Sequence, residues 1–187
     1  TFNMGTSLMA SFIDGGTVSI GLLVARLVFG LLMIGHGTQK LFGWFGGYGL
    51  AGTGGFFEGL GFRPGRTFAA AASVTEITGG LLLALGFLGP VGPALIISVM
   101  IVAGISVHWK NGLFASSNGI ELPLLNAAGA LALALTGPGL FSLDALLGLS
   151  SLWTPGVVWA AIAVGVVAGI VNLGLRRLTP QRVERAA

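Results

Sequence analysis

The sequence contains no cysteine and few charged residues, and both absences exclude whole classes of protein. Without cysteine the chain has no disulfide, no thiol redox couple, no cysteine-ligated zinc or iron–sulfur site and no covalently attached c-type haem. Charged residues make up 8% of the 187 positions, whereas about 25% is usual in a soluble domain. An ordinary soluble fold is excluded, because so few charges cannot cover the surface of a globule of this size.

The sequence consists mainly of long apolar runs. Hydrophobic residues make up 54% of the sequence, and the mean hydropathy is +0.94. A membrane-spanning helix needs about 20 apolar residues, whereas the strands of a membrane barrel alternate and are about half as long. The sequence therefore predicts an all-α integral membrane protein with five spans, of which the third and fourth are marginal in length. These spans are Thr17–Gly37, Thr67–Leu88, Gly92–Trp109, Ile120–Gly137 and Trp153–Leu175.

The basic residues fall on one side of a chain that crosses five times, except for one inside a span. The other side receives two acids, Asp14 and Asp144, and no base. The positive-inside rule therefore places the N-terminus outside and the C-terminus in the cytoplasm, in a bacterial-type plasma membrane. The net charge of +3 orients the chain against the lipid bilayer, and we expect no nucleic-acid partner. The bases on the predicted cytoplasmic side are Lys40, Arg63, Arg66, Lys110, Arg176, Arg177, Arg182 and Arg185.

The connections between the predicted spans differ in length and composition. The second and third spans are joined by "GFLGPVG", which is typical of a tight Gly/Pro hairpin. The connection Thr38–Arg66 is long and rich in glycine and aromatic residues. We expect it to lie at the membrane interface, among the lipid headgroups, with a short helix around Thr53–Leu60.

Two charged residues lie near mid-bilayer in the first two predicted spans. Arg26 is nine residues from the outer end of the first span, and Glu76 is nine from the inner end of the second. An arginine at the centre of a span costs about 2.5–3.5 kcal/mol on insertion scales, so an opposite charge at the same depth is the simplest compensation. We predict an intramembrane ion pair between Arg26 and Glu76, which either fixes the helix register or belongs to a proton-linked or ligand-binding site.

A second polar group collects at the predicted cytoplasmic end. His36 and Lys40 are four residues apart, so they share one face at the end of the first helix. The group is suited to hold an anionic group or the head of a quinone beneath the aromatic segment. Alternatively, each lysine extends to the interface and each histidine caps a helix C-terminus. No spacing indicates a metal site. The candidate residues are His36, Lys40, His108, Lys110, Glu121 and Asn126.

Small residues recur at the spacing of close helix contacts. The first set lies in "ITGGLLLALG" of the second span, and the second set is Ala161, Gly165 and Gly169 of the fifth. We expect the first set to pack inside the bundle. The second either packs there too or joins another subunit in a homo-oligomer.

Four consecutive stretches together resemble the DoxX-like family of small integral membrane proteins. They are "HGTQKLFGWFGGYGLAGTGGFF", "TEITGGLLLALGFL", "HWKNGLF" with "NGIELPLL", and "LALALTGPGLFSLD", and they extend roughly from Leu22 to Leu147. The resemblance adds Gln39 to the candidate ligand-binding residues. The positions that the family pattern singles out are His36, Gly37, Gln39, Lys40, Glu76, Gly79, Gly80, His108, Asn111, Gly112, Glu121 and Pro123.

The resemblance implies a four-helix transmembrane bundle over residues 1–147. The fifth, C-terminal transmembrane helix and the basic tail, residues 148–187, are an addition to the family pattern. Relatives include the membrane subunits of thiosulfate:quinone oxidoreductase. The implied function is a redox-associated subunit of a membrane complex that interacts with a quinone and with other membrane or redox subunits. The alternative is a non-enzymatic scaffold or transport-assisting subunit that docks a partner protein, so the resemblance does not decide whether the chain is an enzyme.

Overall fold

The computed structural model describes residues 13–177, which form an all-helical bundle and confirm the predicted all-α class. No strand occurs within these residues. Two bases of the predicted tail, Arg182 and Arg185, lie outside the described residues. The α-helices are α1 (Val18–Phe42), α2 (Gly49–Gly59), α3 (Gly65–Leu85), α4 (Val91–Ala103), α5 (Glu121–Thr136), α6 (Leu143–Leu146) and α7 (Pro155–Gly174).

Within residues 13–177, four helical segments are long and apolar enough to cross a membrane: Gly15–Phe42, Gly65–Leu85, Val91–Asn111 and Pro155–Gly174. The chain is therefore a multi-pass membrane protein. Helix α5 has 16 residues, which at about 1.5 Å per residue is shorter than the roughly 30 Å hydrocarbon layer. A fifth crossing stays a prediction, and it depends on α5 rather than on the C-terminal helix.

The pairing of α1 with α3 depends on glycines that let the two backbones approach. A Cβ atom on Gly30 would lie 2.6 Å from the carbonyl oxygen of Gly80, and one on Gly37 would lie 2.7 Å from that of Ser73. The predicted packing of the "ITGG" glycines inside the bundle is confirmed. These contacts also fix the register of the two helices, which decides which charged residues can meet.

The predicted hairpin between α3 and α4 is confirmed. Gly86 ends α3 in the left-handed conformation, at φ 62°, and Pro90 precedes the first residue of α4. Glycine adopts that conformation without steric cost, and proline is well placed at the start of a helix. The turn brings α4 back along α3.

Small residues also join α7 to α4. A Cβ atom on Gly165 would lie 2.5 Å from the carbonyl oxygen of Ala94, and one on Gly169 would lie 2.9 Å from that of Ser98. Both glycines are buried inside the chain. The interpretation of this series as a contact to another subunit is therefore wrong for these two positions, because α4 already occupies their surface.

A buried apolar cluster holds the long helices together. It combines side chains of α1, α3, α4, α5 and α7, so no single helix pair contains the core. Its members are Met33, Leu83, Ile96, Ile97, Met100, Ala130, Leu133, Ala134, Val158 and Ile162.

A short helix forms in the aromatic segment, as predicted, although it begins at Gly49 rather than near Thr53. The hydroxyl of Thr53 donates to the carbonyl oxygen of Lys40 at 3.3 Å, which ties α2 to the end of α1. The helix also packs against α3. Its location among lipid headgroups stays a prediction.

Candidate functional site

A cavity of about 300 Å³ lies inside the bundle, at the end where α1 finishes and α5 begins. Side chains of α1 to α5 and α7 line it, so it is formed by the whole fold rather than by one loop. We call it the Lys40–Glu76 cavity. Its aromatic wall comprises Phe56, Phe57, Phe62 and Phe68, and its polar residues are His36, Lys40, Thr75, Glu76, Ser98, Ser106, His108, Asn126 and Asn172.

An ion pair between Lys40 and Glu76 lies at the wall of this cavity. The Lys40 Nζ atom is 2.8 Å and 2.6 Å from the two carboxylate oxygens of Glu76, and 3.5 Å from the carbonyl oxygen of His36. The Glu76 side chain is 2% exposed and that of Lys40 is 28% exposed. All three ammonium donors are therefore directed at protein acceptors, and the buried carboxylate has an opposite charge beside it.

The predicted ion pair between Arg26 and Glu76 is wrong. The glycine contacts between α1 and α3 place Glu76 about level with His36, ten residues or about 15 Å along the helix from Arg26. The sequence prediction took the depth of Arg26 and of Glu76 from the number of residues between each of them and the end of its predicted span. Helix α1 instead continues to Phe42, five residues past the predicted end, so Lys40 lies within the helix and reaches Glu76.

Arg26 lies near the opposite end of the bundle, where its Nη2 atom donates to the carbonyl oxygen of Phe141. The residue is 1% exposed, and its Nε and Nη1 atoms have no hydrogen-bond partner among the described residues. A Cβ atom on Gly86 would overlap the guanidinium group, so this glycine makes room for it.

Asp144, which the sequence placed only as an outer acid, is fully buried at this same end. Its carboxylate accepts hydrogen bonds from the backbone amides of Leu88 and Gly89, at 2.9 Å and 2.7 Å, and from the indole nitrogen of Trp153 at 2.7 Å. These bonds tie the α3–α4 hairpin to α6 and to the segment before α7. The role of Asp144 is structural.

His108 lies at the end of a widened helical turn that continues α4. The π-helical turn spans Gly104–His108, and such turns are frequent at functional sites. The Nδ1 atom of His108 is 2.8 Å from the carbonyl oxygen of Asn118. Because a carbonyl oxygen only accepts, Nδ1 carries the proton of this bond, and Nε2 is the ring nitrogen left for a ligand.

Two polar atoms of cavity-lining residues are buried without a partner. The amide nitrogen of Asn126 donates to the carbonyl oxygen of Leu122 at 2.9 Å, which fixes the orientation of the amide. Its Oδ1 atom and the hydroxyl of Ser106 have no hydrogen-bond partner in the part of the chain that the structure describes. Leaving such a group unsatisfied costs about 1–3 kcal/mol, so a ligand that hydrogen-bonds to it would remove that cost.

The structure brings four of the seven candidate ligand-binding residues to the cavity: His36, Lys40, His108 and Asn126. The other three lie elsewhere. Gln39 donates to the carbonyl oxygen of Phe45 at 3.2 Å, Lys110 is exposed on a 3₁₀ turn, and Glu121 accepts from the backbone amide of Ala115 at 2.7 Å.

Sequence reasoning missed Ser106 and did not identify which aromatic residue faces inward. Phe62 is 1% exposed, and its ring centroid lies 5.7 Å from that of Phe57 and 5.3 Å from that of Phe68. A serine two residues before His108 in an otherwise apolar helix was the available signal for Ser106. Composition gave no signal that separates Phe62 from its exposed aromatic neighbours.

Comparison with known families gives one match. The family model described as DoxX matches residues 21–109, which confirms the resemblance seen in the sequence over that range. The matched segment extends from the first turns of α1 to the end of the helical continuation of α4, and it contains Lys40, Glu76 and His108. No curated protein and no solved structure matches the chain.

Proposed function

We propose that this DoxX-like protein, identified as such by residues 21–109, is a redox-associated membrane subunit that binds the head of a lipid-soluble quinone. The observation that carries the proposal is the Lys40–Glu76 cavity. Aromatic rings, the Lys40–Glu76 ion pair and two residues with unpartnered polar atoms border one cavity within a membrane-spanning bundle.

The residues of the cavity fit such a head group in size and chemistry. A volume of about 300 Å³ is at the lower end of the range for small-molecule pockets, which suits a ring whose tail remains outside. The rings of Phe57, Phe62 and Phe68 offer apolar surface for a flat ring. The unpartnered atoms of Ser106 and Asn126 offer hydrogen bonds that no residue within 13–177 satisfies. A bound quinone would supply a two-electron, two-proton couple. The chain contains no cysteine, so it has no thiol pair that could supply such a couple.

The side chains around the cavity would bind and orient the head and exclude water. The Lys40–Glu76 pair places one cation and one anion side by side at the cavity wall, so the pair adds no net charge there. Helix α2 and the aromatic segment separate the cavity from the aqueous phase at this end. Electrons would pass between the bound ring and a partner subunit.

We infer that the cavity lies towards the cytoplasmic leaflet of a plasma membrane, in a chain that crosses five times. At the cavity end lie Lys40, Arg63, Arg66, Lys110 and Arg176, whereas Asp144 lies at the other end. This asymmetry supports a cytoplasmic C-terminus and an outer N-terminus by the positive-inside rule. The short helix α5 would cross a locally thinned bilayer.

Binding of a short-chain quinone to the purified protein tests the proposal. Ala72 lines the cavity on α3, so Ala72→Phe should fill the space and lower the affinity at least tenfold, whereas the protein remains folded. Ala70→Phe is the matched control, because Ala70 is equally half-buried on the same helix but does not line the cavity.

Titration in lipid nanodiscs, followed by intrinsic tryptophan fluorescence, gives both affinities, and a thermal melt of each variant reports folding. Saturable binding that Ala72→Phe abolishes and Ala70→Phe leaves intact supports the proposal. Absence of saturable binding, or equal loss in both folded variants, contradicts it and favours the scaffold or docking alternative.

A further inference from the structure

The polar side chains around the Lys40–Glu76 cavity differ in which of their hydrogen bonds are already made: four of the eight that carry a donor already donate to an acceptor within the protein. The ammonium of Lys40 is directed at Glu76 and at a backbone carbonyl. The amide nitrogen of Asn126 donates to Leu122, and the hydroxyl of Thr75 donates to the carbonyl oxygen of Ala71 at 2.8 Å. A ligand carbonyl group would have to compete with each of these bonds.

Two atoms of the lining residues have a fixed hydrogen-bonding role and no partner among the described residues, and both are acceptors. In neutral His108 the Nδ1 proton is donated to the carbonyl of Asn118, so Nε2 carries a lone pair. In Asn126 the oriented amide leaves Oδ1 buried and without a partner among the described residues. The hydroxyls of Ser98 and Ser106 rotate and can serve either role, as can the His36 ring and the Asn172 amide, so these four residues favour neither kind of ligand.

From this asymmetry we propose that the cavity selects head groups that donate hydrogen bonds, and therefore takes the hydroxyl-bearing hydroquinone in preference to the oxidised quinone. The inference rests on the proposed function and adds the preferred redox form to it. A hydroquinone hydroxyl can donate to His108 Nε2 or to Asn126 Oδ1, whereas a quinone carbonyl would place a lone pair against each of them.

An anaerobic comparison of one short-chain benzoquinone with its own hydroquinone tests this preference, because the two differ in little but the two hydroxyl protons. Equilibrium dialysis against the full chain in nanodiscs gives both dissociation constants. We expect the hydroquinone to bind about tenfold more tightly, the ratio that one satisfied against one unsatisfied hydrogen bond typically produces.

Asn126→Leu should lower the hydroquinone-to-quinone preference to below about threefold, because it removes one of the two acceptors. Thr136→Val is the matched control, since Thr136 is also on α5 and makes the same kind of bond, from its hydroxyl to the carbonyl of Ala132, but lies away from the cavity. A thermal melt of each variant identifies any loss of fold. Asn126→Asp, which keeps an acceptor oxygen at this position, should keep the preference, and its loss in that folded variant would contradict the role given to the acceptor.

Nuclear magnetic resonance of isotope-labelled histidine gives a second readout, because the chain has only 2 histidines. Hydroquinone should shift the unprotonated Nε2 signal of His108 and leave its Nδ1–H intact, whereas quinone should not. Equal affinity for both forms, or tighter binding of the quinone, overturns the preference but leaves the proposed function standing. Binding of neither form overturns both.

Discussion

The Glu76 carboxylate is 2% exposed and accepts two hydrogen bonds from one ammonium group, that of Lys40, which is itself 28% exposed. Removing one partner of a fully buried pair typically costs about 3–5 kcal/mol, because it leaves an uncompensated charge in the interior. The side chain of Lys40 is partly accessible from outside the protein, whereas that of Glu76 is not. The two residues should therefore respond unequally to substitution.

We expect Lys40→Met to lower the free energy of unfolding by about 3 kcal/mol, since it strands the buried carboxylate. Glu76→Gln should cost less, because it strands a partly hydrated ammonium group. The double variant should cost less than the sum of the two single losses. Unfolding in mixed detergent micelles measures all three, with Lys110→Met as the control for loss of an exposed lysine. Strictly additive losses would show that the two charges do not interact.

The sequence identifies Lys40 and Glu76 as residues of interest but pairs Glu76 with Arg26. The lengths of the apolar runs give only the approximate depth of a side chain. By that measure both Arg26 and Glu76 lie near mid-bilayer. The true register depends on where α1 and α3 touch, at Gly30 and Gly37. A contact between two glycines leaves no signal in the hydropathy of either helix.

At the scale of helices, the α1–α3 contact is set by glycines with almost no space around them. Gly30→Ala should destabilise the protein by about 1–3 kcal/mol, because the added Cβ would lie 2.6 Å from a backbone oxygen of α3. Gly35→Ala is a control on the same helix, since nothing lies within 4 Å of a Cβ there. It should be neutral or slightly stabilising, by the higher helix propensity of alanine.

The same unfolding assay compares these two variants, and the distance between spin labels on α1 and α3 reports whether the helices separate. Equal stability of Gly30→Ala and Gly35→Ala would mean that the helices are not in close contact at Gly30.

The elements themselves were largely predictable, because each long helix is a continuous apolar run. The predicted bounds of the last span, Trp153–Leu175, differ from α7 by two residues at the start and one at the end. The irregular turns were not predictable. The π-helical turn at Gly104–His108 and the short helix α6 arise from tertiary hydrogen bonds, such as those of His108 to Asn118 and of Asp144 to the α3–α4 hairpin.

For the whole molecule, the distribution of basic residues predicts the direction of insertion. Because the sequence contains no cysteine, single cysteine substitutions can test this direction, and a maleimide reagent will not label any other cysteine of the chain. Ser150→Cys and Ser116→Cys are both at exposed positions, the first before α7 and the second between α4 and α5.

We expect a membrane-impermeant maleimide to label Ser150→Cys on intact cells and to label Ser116→Cys only after the membrane is permeabilised. The reverse pattern would place the C-terminus outside. Labelling of both positions on intact cells would mean that α5, or another segment between the two residues, does not cross the bilayer.

Binding of a quinone-type head in the Lys40–Glu76 cavity is the claim on which the proposed function depends. Photo-crosslinking with an azido-quinone in nanodiscs, followed by peptide mapping, tests it at the level of residues. The proposal predicts crosslinks on cavity-lining residues such as Phe57, Ala103 and Asn126, which excess unlabelled short-chain quinone suppresses and Ala72→Phe abolishes. Crosslinks confined to the exposed outer surface of α7, at residues such as Val164 and Val171, and insensitive to competitor would contradict it.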